Sequence, residues 1–476
     1  MRLKTIISFV LLVLTTSLVF GQADPATVAK IVDEGKNRNK VMEHMTYLTR
    51  KIGPRLTSSP QLDKAYQWAM GQFKKFGCKN VHLEQWGEFP VGFERGKRQV
   101  GRMVSPDRVD FQFTTPSWSY GTKGSVSGPA VAAPATMEEF EKVKDRLKNA
   151  WVIVKGGGGR GGFRGPGGPS ELDKAIDGAG INGRVSSSGS DLVITSGRHN
   201  VKLEEIPTTV RVTIRKQDMD AVQKAFDDGK EPILEFDIEN KLLKGPRTCS
   251  NVIAEIPGTE KPEEVVIVSG HLDSWDGPGS EGAQDNGTGT MVALEAARIL
   301  CKVGAKPKRT IRFIMWSGEE EGLLGSLAYV KAHKDEMDKI SCVFVDDGGT
   351  NYEGGLTCTE DMKPMLEEAL APAMKAFPDM PIEIRSSTRI PRGGGSDHAS
   401  FNQVGVPGFF WFEKGKGDYR HVHHTQYDRL DTVIPEYLVQ SSTNSAAASY
   451  IVACAPTLLP REKPATPAPT PPTGPP

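Results

Sequence analysis

No charge of one sign prevails in this chain of 476 residues: 59 Lys and Arg are matched by 59 Asp and Glu. That balance leaves no basic excess for gripping a nucleic-acid backbone. Cysteine is scarce, with six residues at 78, 249, 301, 342, 358 and 454, too few and too scattered to build a disulfide scaffold, and their pairing cannot be read from spacing. Long apolar runs are missing as well. Ile6 to Phe20 is a mostly apolar stretch of 15 residues, short of the roughly 20 that span a bilayer, and no second such run follows, so no stable membrane anchor is expected. Neither G-x-S-x-G nor H-E-x-x-H occurs, which removes the nucleophile-elbow serine hydrolases and the thermolysin-like proteases.

What is present begins with an export signal. Arg2 and Lys4 precede the apolar stretch, and Val19 and Gly21 are small residues suited to cleavage before Gln22. No Cys lies near that point for a lipid anchor. The expected mature chain is therefore exported, periplasmic or extracellular. With 38% hydrophobic residues it is globular, and 51 Gly with 33 Pro predict abundant loops.

The organisation divides the chain five ways: signal 1–21, a first part of the main domain at 22–120, an insert at 121–243, the main domain at 244–454, and a tail at 455–476. Helices are expected over Ala26–Lys51 and Gln61–Phe76, with short strands at Val81–Gln85 and Val109–Phe113. The insert reads as a small α+β module, with strands at Trp151–Val154, Asp191–Thr195, Thr208–Ile214 and Ile233–Phe236 and helices at Met137–Leu147 and Gln217–Phe226. From Asn251 onward, strand and helix alternate, which predicts an α/β sheet covered by helices. The tail holds nine prolines in 22 residues and should be extended. Within the insert, Gly157, Gly159 and Gly162 satisfy G-x-G-x-x-G inside a run of nine glycines. No helix opens directly after it and no acid is placed for a ribose, so a flexible loop competes with a phosphate cradle and an RGG-like segment.

Five motifs carry potential chemistry, all at ends of predicted strands, where open α/β sheets bind ligands. Val265–Val268 runs into His271 and Asp273. Asp285 sits in a Gly-rich turn before a helix, a place equally natural for a capping Asp. Thr310–Trp316 ends in Glu319, Glu320 and Glu321, and three carboxylates so close resist joint ionisation unless a cation neutralises them. Ser341–Val345 ends in Asp346 and Asp347. His421, His423 and His424 precede Asp428. Each alone is ambiguous. Together they offer His, Asp, Glu, Asp and His in chain order, a nitrogen and oxygen set suited to zinc.

These residues, with Ser396-Asp397-His398 and the run His271 to Asp276, resemble the co-catalytic di-zinc exopeptidases of metallopeptidase family 28, which include bacterial aminopeptidases and the carboxypeptidase Q branch. The insert is similar to a protease-associated domain. The resemblance implies a zinc exopeptidase fold, that is, a phosphorylase/hydrolase-like mixed α/β sheet flanked by helices with the α+β insert. It also implies two zinc ions per chain. Asp285 would bridge them, His271 and Asp347 would complete one site, and Glu320 and His424 the other. Glu319 would be the general base acting on a metal-bridged hydroxide. Asp273, counted with the catalytic group, and Asp428 would orient ligands. Arg389, Arg392, Ser396, Asp397 and His398 are the substrate-binding candidates, the arginines for a carboxylate. Asp346, Glu321 and Glu413 could instead take an ammonium group. The expected partner is a short peptide, chiefly a dipeptide with a free amino end, and a homodimer is the assembly considered. The insert should cover the site without supplying ligands. Two departures stand out: Gln284-Asp285-Asn286 where relatives often carry consecutive acids, and the Gly-rich loop. The alternatives are a non-catalytic receptor or binding protein on the same fold and a single-zinc cyclase, which could dispense with His271 and Asp347.

Overall fold

The computed structural model describes residues 23–157 and 169–461. The expected signal, most of the Gly-rich run and most of the Pro-rich tail lie outside them. Twelve strands form one mixed sheet with two differently packed ends. At one end Gly408–Phe410, Ile340–Val345, Lys261–His271 and Arg309–Trp316 lie side by side and parallel. Their near-continuous apolar sequences follow from cover on both faces. Val266, Val268, Phe313 and Phe344 pack with the helices Pro60–Phe76, Gly287–Lys302 and Pro435–Cys454. The alternate residues Val265, Ile267, Ile314 and Val343 pack on the opposite face with Tyr329 and Phe401. Each such fully buried Ile or Phe contributes about 1.5–3 kcal/mol of transfer free energy.

Two long strands join this end to the insert. Lys79–Ser105 and Ile233–Ile256 run antiparallel from the pair Lys79 and Glu255 to the pair Ser105 and Ile233. One end of the ribbon borders Arg309–Trp316 and the other borders Ser125–Ala132. The parallel strands Ser125–Ala132, Trp151–Gly157, Gly183–Ser187 and Val210–Ile214 follow. They build a second core from Trp151, Val185, Val212 and Phe236, which also takes in Met103, Phe111 and Phe113 from ahead of residue 121. The strand expected over Asp191–Thr195 is absent; a single antiparallel bridge joins Ile194 to Thr425 instead. The helix expected over Ala26–Lys51 is broken into Pro25–Asn37 and Val41–Tyr47. Among the described residues no helix is long and apolar enough to cross a membrane.

Candidate metal centre

The parallel register delivers the ligand candidates to one edge. His271 closes its strand and pairs with Trp316, so the segment Ser317 to Glu321 leaves the sheet beside it. Val345 pairs with Ser269, which brings Asp346 and Asp347 out at the same level. The turn at Asp285 leads into the helix Gly287–Lys302. Asn286 caps that helix by accepting from the Gly289 amide at 2.9 Å and donates to the Asp346 carbonyl at 2.7 Å. A Cβ on Gly289 would lie 2.0 Å from that carbonyl, so only glycine lets the helix approach the strand end.

At the centre, the two oxygens of Asp285 face different histidines. Oδ1 is 3.4 Å from His271 Nε2, and Oδ2 is 3.2 Å from His424 Nε2. Each histidine meets a second carboxylate: Asp347 at 3.1 Å from His271, and Glu320 at 3.0 Å from His424. His271, Asp285 and Asp347 present ligand atoms within 4.8 Å of one another, and so do Asp285, His423 and His424. His423, 3.7 Å from Asp285, was not singled out as a ligand from the sequence. Glu319 reaches to 3.8 Å from His271 Nε2.

Supporting contacts orient these groups. Nδ1 of His271 lies 3.0 Å from the Asp273 carbonyl, which leaves Nε2 turned to the carboxylates. The Asp273 carboxylate accepts from Thr57 at 3.0 Å and from the Glu320 amide at 3.3 Å. Asp428 accepts from the Gln284 amide at 2.5 Å, next to Asp285. Sequence reading missed Arg55. Fully buried, it donates to the carbonyls of Leu272 at 2.6 Å and Gly282 at 2.8 Å, tying together the loops that carry His271 and Asp285. Burial lowers its pKa to about 10, against the pull of Asp428 and Asp273.

The electrostatics call for a cation. Burial raises Glu320 to about 7 and, helped by Asp285, opposes its ionisation; burial also raises Asp347 and holds Glu319 well above the carboxylate range. Burial alone would lower His424, yet Glu320 and Asp285 raise it to about 10. Oδ2 of Asp285 and Oδ1 of Asp273 are buried without a hydrogen-bond partner. Asp285, Glu319, Glu320 and Asp347 with the imidazoles of His271, His423 and His424, crowded and partly unsatisfied, fit divalent ions with mixed nitrogen and oxygen ligands.

A cavity of about 710 Å³ opens over these groups, walled by Glu319, Glu320, Asp347, His423 and His424 and by Leu323, His398, Phe410 and Tyr419. The other sequence candidates fall around it. His398 lines the cavity; Ser396 and Asp397 are buried behind it. Arg389 and Arg392 are exposed and do not line it. Asp346, Glu321 and Glu413 do not line it either. Asp346 and Glu413 instead meet the fully buried Glu353, and Glu321 turns toward Thr57.

The insert reaches the rim of the site. The Thr195 amide donates to the His424 carbonyl at 3.1 Å, and Gln426 accepts from the Val193 amide at 2.9 Å while donating to the Asp191 carbonyl at 2.9 Å. Trp118 packs edge-on against Trp275, which in turn meets the His424 ring. No ligand candidate among the described residues comes from the insert.

Residues 251–449 match the model of peptidase family M28. That span resembles an M28 peptidase domain. Carboxypeptidase Q of Mus musculus is 28% identical over 438 residues, covering 90% of this chain and 88% of that protein; the Homo sapiens protein is 27% identical over 446 residues with the same coverage. Among solved structures, the Peptidase M28 precursor from Shewanella amazonensis SB2B superposes with a TM-score of 0.67 at 24% identity, covering 92% of this chain and 98% of that one. BSAP, a zinc aminopeptidase from Bacillus subtilis, gives 0.55 at 22%, covering 86% and 94%. These likenesses carry the fold: the mixed sheet flanked by helices is that of the M28 structures. The M28 match begins at Asn251 and so takes in every ligand candidate while leaving out the insert.

Proposed function

We propose that the metallo-exopeptidase activity of this M28-like chain is zinc-dependent, uses two ions, and removes residues from short peptides with a free amino end. The observation that carries the reading is the placement of Asp285, with one oxygen toward His271 and Asp347 and the other toward His424 and Glu320. His271, Asp285 and Asp347 would hold one ion, and Asp285, Glu320 and His424 the other, with His423 beside it. Zinc so held would cancel the carboxylate excess, acidify a bound water toward a pKa of about 7 and polarise the scissile carbonyl. Glu319, on the cavity wall and outside both ligand sets, takes the proton of the attacking water and delivers it to the leaving amine. Asp273 keeps His271 in the tautomer that presents Nε2. The two complete pairs favour a peptidase over a single-zinc cyclase or a non-catalytic receptor.

The free amine follows from the cavity's lining, which holds carboxylates, histidines and Tyr419 but neither Arg nor Lys among the described residues. A carboxylate terminus would find no cation of the chain there; an ammonium finds acids. Leu323 and Phe410 offer apolar surface for a side chain. We place the enzyme outside the cytoplasm, on the strength of its first 21 residues. Glu319→Gln should lower turnover by roughly 10²–10⁴-fold while metal content holds, and Glu320→Gln should lose metal. A free dipeptide should be cleaved at least about tenfold faster than its N-acetylated form, a difference of about 1.4 kcal/mol in transition-state binding. Equal loss of metal in both variants would overturn the division of labour, and preference for the acetylated peptide would overturn the amine.

A further inference from the structure

Of the six cysteines, Cys78 and Cys301 alone bring their sulfurs within hydrogen-bonding reach, at 3.6 Å, across a separation of 223 residues. Cys249, Cys342, Cys358 and Cys454 are buried singly. Cys78 follows the left-handed Gly77 that ends the helix Pro60–Phe76, and Cys301 lies in the last turn of the helix Gly287–Lys302, whose first turn follows Asp285. The two helices share one core through Phe73 and Leu300, so the sulfurs are held opposite each other by packing on both sides. A disulfide needs them at about 2.05 Å, closer than the 3.6 Å seen here.

We propose that Cys78 and Cys301 are a disulfide-forming pair that staples the helix behind Asp285 to the start of the long ribbon. The oxidant is an external disulfide such as oxidised glutathione, which an exported chain would meet. Cys301 is the more exposed of the two and attacks first: its thiolate takes one sulfur of the oxidant and releases one thiol. Cys78 then attacks the Cys301 sulfur of the mixed disulfide and releases the second. Two electrons and two protons pass from the pair to the oxidant. The contact with Cys78, aided by Lys79, lowers the Cys301 pKa and favours its thiolate, while the same contact and burial push the Cys78 thiol up. Because the enclosed loop is long, the link should raise the apparent melting temperature by several degrees, on the order of 3–8 °C.

The test is thiol mapping on the full chain, purified in reductant and then exposed to oxidised glutathione. After denaturation and alkylation, mass spectrometry should find the peptides of Cys78 and Cys301 joined and the other four cysteines alkylated. Cys78→Ser should trap a single glutathione adduct on Cys301, and Cys301→Ser should abolish both the link and the melting shift. Full alkylation of all six cysteines after oxidant, or a link between a different pair, would overturn the proposal. Metal content and activity play no part in the readout, so it stands apart from the functional reading.

Discussion

The two pairs proposed as metal ligands, which share Asp285, are built by different means. His271 closes one strand and Asp347 follows the end of the neighbouring parallel strand by two residues, with 1% and 7% of their side chains exposed, so the sheet register largely sets their spacing. Glu320 and His424 stand on loops. His424 is 22% exposed, adopts φ of +61°, a left-handed conformation unusual for a residue with a Cβ, and has its carbonyl pinned by Thr195 of the insert. One pair is a product of the sheet, while the other depends on a neighbouring module to hold a strained loop. Removing metal should therefore proceed unevenly.

The largest effect expected is at the residue the pairs share. Asp285→Ala should leave close to no bound zinc by elemental analysis and lower activity by about 10³-fold or more, since several kcal/mol of metal-ion catalysis are lost. Next comes the asymmetry itself: limited chelation should stop near one equivalent per chain, His424→Ala should begin there, and His271→Ala should lose the ion that chelation leaves behind. Equal release of both ions would break the comparison. A smaller effect is expected at Gln426, which touches the insert and neither proposed ion. Gln426→Ala should weaken only the looser metal, by about 10–100-fold in affinity, measured by competition with a chromophoric chelator. The smallest belongs to Arg389 and Arg392. Replacing either by Ala should change kcat/KM for a dipeptide by no more than about twofold, as for exposed positions away from the site.

That the candidate ligands would meet at one sheet edge was legible because each follows an apolar run whose end is visible in the sequence. His271, Glu319, Glu320 and Asp347 come to one edge for that reason. What supports them was not legible. Arg55 and Thr57 meet the site across more than 200 residues of chain, and nothing local marks them. The ribbon Lys79–Ser105 was read only at Val81–Gln85, because register shifts at several points along it interrupt the two-residue alternation that signals a strand. The helix Pro435–Cys454 was missed too. Its Ser and Thr are poor helix formers, and here Ser442, Thr443 and Ser449 turn their hydroxyls back onto carbonyls four residues earlier. Asn286, a departure from the family pattern in the sequence, serves as helix cap and brace for Asp346.

The ribbon also says where this protein can be cut. Phe93 and Leu242 face each other as direct partners on its two strands, their Cα atoms about 5 Å apart as in any antiparallel pair. Both pack in one small cluster with Leu56 and Trp275. A two-residue Asn-Gly turn joining them would close a hairpin and drop everything from Glu94 to Lys241 as one unit. A cut at Gly121, by contrast, would strip Ile233 to Leu243 from the partner strand and leave the edge from Gly92 to Ser105 unpaired. Insertion of a foreign module belongs at the same rung: the ribbon is a socket, and whatever is plugged into it arrives at the mouth of the cavity.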